Sequence, residues 1–179
     1  RETGLQWIPP SPHIPTPEAG FAYAATGVLG ELGIISIGIG YTLPFELVGA
    51  TWMDGEDFAN RLNSLDIDGI WFRKTSYKPF YGFSNGQVCN GVQITRSGFR
   101  AAPFTACIGI MTTLRDAYPE RKLFPADTSS KWAMFNKVCG GDRLKRQLRS
   151  GASFEEITNS WATELHRFIG RRGEYLLYE

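Results

Sequence analysis

Residues 16–48 read TPEAGFAYAATGVLGELGIISIGIGYTLPFELV. Thr16, Pro17 and Glu18 supply an N-cap, a proline preset for the first helical position, and an acid in the first turn. They predict a helix of about 14 residues through Phe21, Ala25, Val28 and Leu29. From Gly33 the pattern changes. Ile34 to Tyr41 is β-branched and punctuated by glycine, so it reads as strand or glycine-rich loop. Another strand is expected over Phe45 to Val48. The switch from helical to extended pattern, with 20 Gly and 10 Pro, points to an α+β chain rich in turns rather than a helical bundle.

Before this stretch, residues 1–16 form a Pro-rich opening segment. Trp7 to Pro15 holds four prolines, which force extended, polyproline-like backbone. After it, Asp54 caps a helix in which Phe58, Leu62 and Leu65 share a face, with Asp57 as a capping-box-like acid. Ile70 to Thr75 and Gln87 to Thr95 read as strands, joined by a loop over Tyr77 to Gly86. Pro103 opens a helix carrying Phe104, Cys107, Ile108, Met111 and Leu114 at helical spacing. Two short helices are expected over residues 131–139 and 142–149. Ser153 to Glu156 is a capping box, followed by one apolar stripe of Phe154, Ile157, Trp161, Leu165 and Phe168. The ending, Tyr175-Leu176-Leu177-Tyr178, is expected to pack as a final strand. The fold expected is a single compact α+β domain over 1–179, with a small mixed sheet and several packing helices.

The chain has 179 residues, 42% hydrophobic and 13% aromatic, with net charge +1, enough for one domain with a real core. No run of about 18 apolar residues occurs, so no membrane span is expected. The opening Arg1-Glu2-Thr3-Gly4 has no apolar h-region and reads as a mature product or a piece of something longer. The charge is unevenly spread, −2 over residues 1–130 and +3 over 131–179, but the difference is too small to imply nucleic acid. Cys89, Cys107 and Cys139 include no C-x-x-C pair, and only His13 and His166 could assist them. Neither metal nor cofactor is expected.

Gly38-Ile39-Gly40 invites a phosphate-loop reading, but Pro44 argues against a helix starting after it and there is no Walker lysine. Glu31 and Glu46 flank the glycine-rich stretch, and a glycosidase needs two carboxyl groups. Glu31 near a helix end also reads as a solvated residue, and Glu46 on an alternating strand as one pointing away from the core. Arg143, Lys145, Arg146 and Arg149 fit a solvated amphipathic helix better than an anion site. Tyr77, Phe80, Tyr81 and Phe83 crowd one loop. Such a loop either folds under something or touches a ligand, and pyranose faces stack on exposed rings.

Five segments stand in order: Trp7-Ile8-Pro9-Pro10-Ser11-Pro12-His13-Ile14-Pro15-Thr16; Glu31 through Pro44-Phe45-Glu46; Phe83-Ser84; Cys89-Asn90-Gly91-Val92-Gln93; and Arg171 with Tyr175-Leu176-Leu177-Tyr178. Together they resemble the NamZ-like exo-β-N-acetylmuramidase family. The resemblance implies the C-terminal domain of a two-domain, peptidoglycan-directed glycoside hydrolase. Its Rossmann-like N-terminal domain would hold the principal catalytic residues and would be this chain's partner. No catalytic residue is then expected here, and this chain alone would hydrolyse nothing. Peptidoglycan fragments carrying N-acetylmuramic acid would be the ligand, in a periplasmic or extracellular setting. The expected cleft wall is Ser11, His13, Glu31, Ser36, Tyr41, Thr42 and Glu46. The sequence departs from the family pattern at His13, where Asn is usual, at Leu32-Gly33-Ile34, and at Ile39 and Leu43, where arginines are usual. Those changes remove hydrogen bonds that a hydroxyl-rich sugar would use. A non-catalytic sugar-binding module and a structural docking domain are the alternatives.

Overall fold

The computed structural model describes residues 4–98 and 100–177. Among them are three strands, β1 (Leu47–Ala50), β2 (Ile70–Tyr77) and β3 (Cys89–Arg96). Seven α-helices accompany them: α1 (Pro17–Gly30), α2 (Gly55–Asn63), α3 (Pro103–Ala117), α4 (Lys131–Val138), α5 (Arg143–Arg149), α6 (Phe154–Asn159) and α7 (Ala162–Gly173). The class is α+β, as the sequence indicates. The strand order is β1-β3-β2, and both pairings are antiparallel rather than mixed. β1 and β2 run in the same direction, but β3 lies between them, so no parallel pair forms.

Local chemistry sets the helix starts. Thr16 accepts a hydrogen bond from the Ala19 N–H at 3.1 Å, with Pro17 at the first position. Asp54 accepts from the Glu56 and Asp57 N–H groups. Asp57 itself does not close a capping box; its carboxylate pairs with Arg61 at 2.6 Å. The box predicted at Ser153 and Glu156 is present in both directions.

The inner face of the sheet carries Val48, Phe72, Val92 and Ile94 into the main core. Phe58 and Leu62 of α2 and Ile108, Met111 and Leu114 of α3 meet them, each essentially inaccessible to solvent. α1 packs on α3 through Leu29. The outer face is covered at one end only, by a small second cluster of Leu47, Tyr77, Cys89 and Leu43. Tyr77 is paired with Cys89 across the strands. Its ring lies over Gly49, where an added methyl group would crowd it. That glycine lets the phenol reach across β1 to the Ser36 carbonyl at 3.3 Å.

Three expectations fail. The strand expected from Phe45 starts at Leu47, because Phe45 sits at φ 68°. This left-handed turn is held by three contacts. The Phe45 N–H donates to the Ile37 carbonyl, its own carbonyl accepts from Thr26 Oγ1 at 2.9 Å, and its ring meets Tyr23 edge-on at 4.7 Å. The apolar stripe from Phe154 to Phe168 is not continuous. α6 stops at Asn159, where Ser160 Oγ turns back on the Ile157 carbonyl at 2.7 Å, a competition with helix bonding that short hydroxyl side chains favour. Leu165 and Phe168 are left about half-exposed. The ending is not a strand: the Tyr175 and Leu176 N–H groups are spent on local turns to Arg172 and Gly173, and Tyr175 and Leu177 are 80% and 89% exposed. Tyr178 lies outside the described residues.

Candidate functional site

Three segments far apart in sequence meet beside the outer-face cluster: the Pro-rich segment, the glycine-rich loop over 36–46, and the aromatic loop over 78–88. Glycine makes the meeting possible. Gly40 has φ +88°, and a side chain there would collide with the Tyr81 carbonyl. The Phe80 N–H donates to the Gly40 carbonyl at 2.9 Å. Gly38, at φ +80°, packs against the Leu43 carbonyl. The G-x-G pattern therefore serves close loop packing, not phosphate binding.

From the Pro-rich side, Ser11 Oγ accepts from the His13 N–H at 3.2 Å, fixing the turn that presents the imidazole. His13 Nδ1 lies 3.1 Å from the Tyr81 hydroxyl. Tyr81 in turn meets Phe80 edge-on at 4.9 Å. Tyr41 packs on Tyr77, ring centroids 5.6 Å apart. The result is an exposed aromatic and imidazole rim on a buried aromatic base. Phe80 is 72% exposed and Phe83 46%, whereas Tyr77 is 3% exposed. The loop thus does both of the things its composition allowed: Tyr77 folds under, and the others face outward. Burial pushes the Tyr77 phenol above its usual value of 10, so it stays a neutral donor.

Of the seven expected wall residues, Ser11, His13 and Tyr41 come together at this rim, with Thr42 exposed beside Tyr41. Ser36 lies beneath it at 1% exposure. Its backbone exchanges both hydrogen bonds with Gly49, while its Oγ is without a partner among the described residues. Glu31 and Glu46 go elsewhere. Glu31 is the C-cap of α1. Glu46 lines a separate cavity of about 290 Å³ with Glu18, Phe21, Ala22, Gln93 and Arg96. Burial, then the charge of Glu18, raises the Glu46 carboxyl above its usual value, against a hydrogen bond with Gln93 that lowers it. Glu18 and Glu31 stand 13 residues apart on α1, about 20 Å at 1.5 Å per residue. The Glu46 carboxyl turns toward the Glu18 end of the helix, not toward Glu31. Sequence reasoning singled out the aromatic loop with Tyr81 as one that could touch a ligand, but did not join it to the cleft wall or give Gly40 a part in the contact.

Residues 21–178 match the family model described as "Exo-beta-N-acetylmuramidase NamZ, C-terminal". This chain belongs to that family. The NamZ relative from Bacillus subtilis (strain 168), a peptidoglycan beta-N-acetylmuramidase, is 36% identical over 180 residues, covering 99% of this chain but 42% of the relative. A DUF1343 family protein from Bacteroides fragilis NCTC 9343, known from its crystal structure, superposes with TM-score 0.90 at 35% identity. It covers 98% of this chain and 46% of that one. A second DUF1343 protein from the same organism, 22% identical, has TM-score 0.57 over 96% of this chain and 44% of its own, and shares the fold. This NamZ-family chain thus spans under half the length of the relatives it matches.

Proposed function

We propose that this chain is the cleft-forming accessory domain of a peptidoglycan-directed, exo-β-N-acetylmuramidase-like glycoside hydrolase. It hydrolyses nothing alone; the catalytic groups belong to an N-terminal domain of the same protein, acting outside the cytoplasm. One observation carries the reading: the rim of His13, Tyr41, Phe80 and Tyr81, built from three distant segments, in a chain that aligns end to end with under half of a muramidase. Exposed rings and an imidazole suit a hydroxyl-rich pyranose, one by stacking and the other by hydrogen bonding.

The test is an NMR titration of the 179-residue chain with an N-acetylmuramic acid-containing disaccharide. The expected outcome is amide shifts in residues 11–13, 40–42 and 80–83 with no new sugar signal, and turnover only when the preceding domain is supplied. Shifts with no turnover even then would make the chain a non-catalytic sugar-binding module. The absence of any shift at millimolar disaccharide would leave the rim as a structural docking surface.

A further inference from the structure

Helix α7 presents a surface that the chain itself does not use. None of its 12 residues is buried. It is moored at its start, where Trp161 packs against Phe104 at 5.7 Å and Glu164 pairs with Arg143 at 3.0 Å. Beyond that, Leu165, Phe168 and Ile169 follow helical spacing on one stripe, and Leu176 comes in the turn after the helix. They and Tyr175 and Leu177 are 48–89% exposed.

Two concavities flank the stripe and share Phe168. One, of about 550 Å³, lies between Phe104, Leu144, Trp161 and Leu165. The other, of about 420 Å³, is closed by Arg171, Arg172 and Tyr175. Taking ~200 Å² for a fully exposed residue of this size, the six exposed residues present roughly 750 Å². That exceeds the largest apolar patch of an ordinary monomer and approaches one side of a standard protein interface. A helix of this length is marginal in water without tertiary packing. Its order therefore calls for a second surface.

We infer that the α7 stripe and the residues after it are the docking surface for the remainder of the parent polypeptide, the portion by which the relatives exceed this chain. The inference rests on the functional reading above insofar as that reading supplies the second domain. Two observations favour this occupant. The family match runs to residue 178, so α7 and the residues that follow are part of the shared domain and not an appendage. Both the NamZ relative and the close structural neighbour continue for more than the length of this chain again. Arg172 falls on the stripe, seven residues after Leu165, and Arg171 lines the smaller concavity with it, so the matching surface is mainly apolar with acidic groups opposite these two arginines. The aromatic rim around Tyr81 is a separate surface and stays free for ligand.

Hydrogen exchange of the complete translated product and of the 179-residue chain tests this. Amides 165–176 are expected to exchange at least 100-fold more slowly in the complete product. Phe168→Asp should abolish that difference while leaving the melting temperature of the 179-residue chain unchanged. Equal exchange in both proteins would overturn the inference. So would protection in the 179-residue chain that grows with concentration, since a second copy would then be the occupant. A gene encoding no preceding domain would overturn it too. The functional reading fails separately: a complete product that protects α7 but leaves muramic acid glycans intact retains the docking surface and loses the muramidase.

Discussion

Replacing Gly40 by alanine probes the seam between the glycine-rich and aromatic loops, and Gly86 supplies its control. Both glycines have positive φ, +88° and +71°. A methyl group at Gly86 meets nothing within 4 Å, whereas one at Gly40 runs into the Tyr81 carbonyl and backbone. Gly86→Ala should therefore cost only the left-handed backbone strain, about 1 kcal/mol. Gly40→Ala adds the displacement of the aromatic loop, including the Phe80 to Gly40 hydrogen bond, worth about another 1 kcal/mol net. Lost packing brings its total to roughly 3 kcal/mol. For a chain of this size, 1 kcal/mol moves the melting temperature by about 2–4 °C. Calorimetry should thus show a fall of about 2–4 °C for Gly86→Ala and about 6–12 °C for Gly40→Ala. The His13 ring resonances should move only in the Gly40 variant, because that loop carries the Tyr81 hydroxyl. Equal melting shifts, or an undisturbed His13, would refute the claim that Gly40 joins the two loops.

Other substitutions separate packing from chemistry. Folding raises the Glu46 carboxyl above the 4.5 of a free glutamate, so its protonated form is favoured in the folded chain and its ionised form opposes folding. Glu46→Gln should raise the melting temperature at pH 7, and the gain should vanish as pH falls below about 4.5; a gain constant with pH would sink the assignment. Ser36→Ala removes a buried hydroxyl with no partner and should hold or raise stability, by up to about 1 kcal/mol in denaturant titration. A loss above that figure would mean the hydroxyl is bonded. Phe72→Ala on the inner face should cost about 3–5 kcal/mol, and Trp71→Ala, 57% exposed on the other face, under about 1. Urea unfolding of the pair checks the facing. Burial lifts Cys139 to about 11 and Cys107 to about 12. At pH 8 that leaves on the order of a hundredfold less thiolate at Cys139 than on a free thiol. Cys107 should label with Ellman's reagent only at the rate of unfolding.

Local chemistry made much of the fold legible. Thr16-Pro17-Glu18, Asp54 and Ser153 each announce a helix start through their own side chains, and each helix begins there. The alternation that buries Ile70 and Phe72 and exposes Trp71 and Arg73 is a property of the pleat. What failed depends on distant partners. Phe45 is β-favouring by type, yet Thr26, Ile37 and Tyr23 hold it in a left-handed turn. Nothing within five residues of Phe45 announces them. Leu165 and Phe168 have the spacing of a buried stripe, but the described residues leave both about half-exposed. At the rim, residue type drew attention to His13, Tyr41 and the aromatic loop, while the seam between the glycine-rich and aromatic loops runs through the Gly40 backbone, which side-chain chemistry does not announce. Glu31 and Glu46 looked like a pair because both flank the same loop. In the fold Glu31 caps α1 and Glu46 turns into the cavity beside Glu18.

That separation bears on where the hydrolytic groups must come from. Retaining and inverting glycosidases hold two carboxyl groups about 5–10 Å apart on opposite sides of the scissile bond. Glu31 caps the end of α1 while Glu46 lines a cavity with Glu18 from its start, so they do not share one site. Glu18 is close enough to Glu46 to raise its carboxyl, after burial, and a raised carboxyl beside a second one is how such enzymes divide acid from base. Their cavity argues against that use. At about 290 Å³, lined by Phe21, Ala22 and Ile94, it falls at the bottom of the range for small-molecule sites and has no room for two sugar rings with a carboxyl on either side. Arg96 also stacks over Phe21 at 5.2 Å on its wall, where its positive charge would oppose a developing oxocarbenium ion. The rim at Tyr81 has the opposite character, with rings and an imidazole but none of these three carboxyls among the groups that form it. On the proposed reading the rim holds the sugar and the carboxyl pair comes from elsewhere in the protein. A second domain facing the rim would complete the hydrolase.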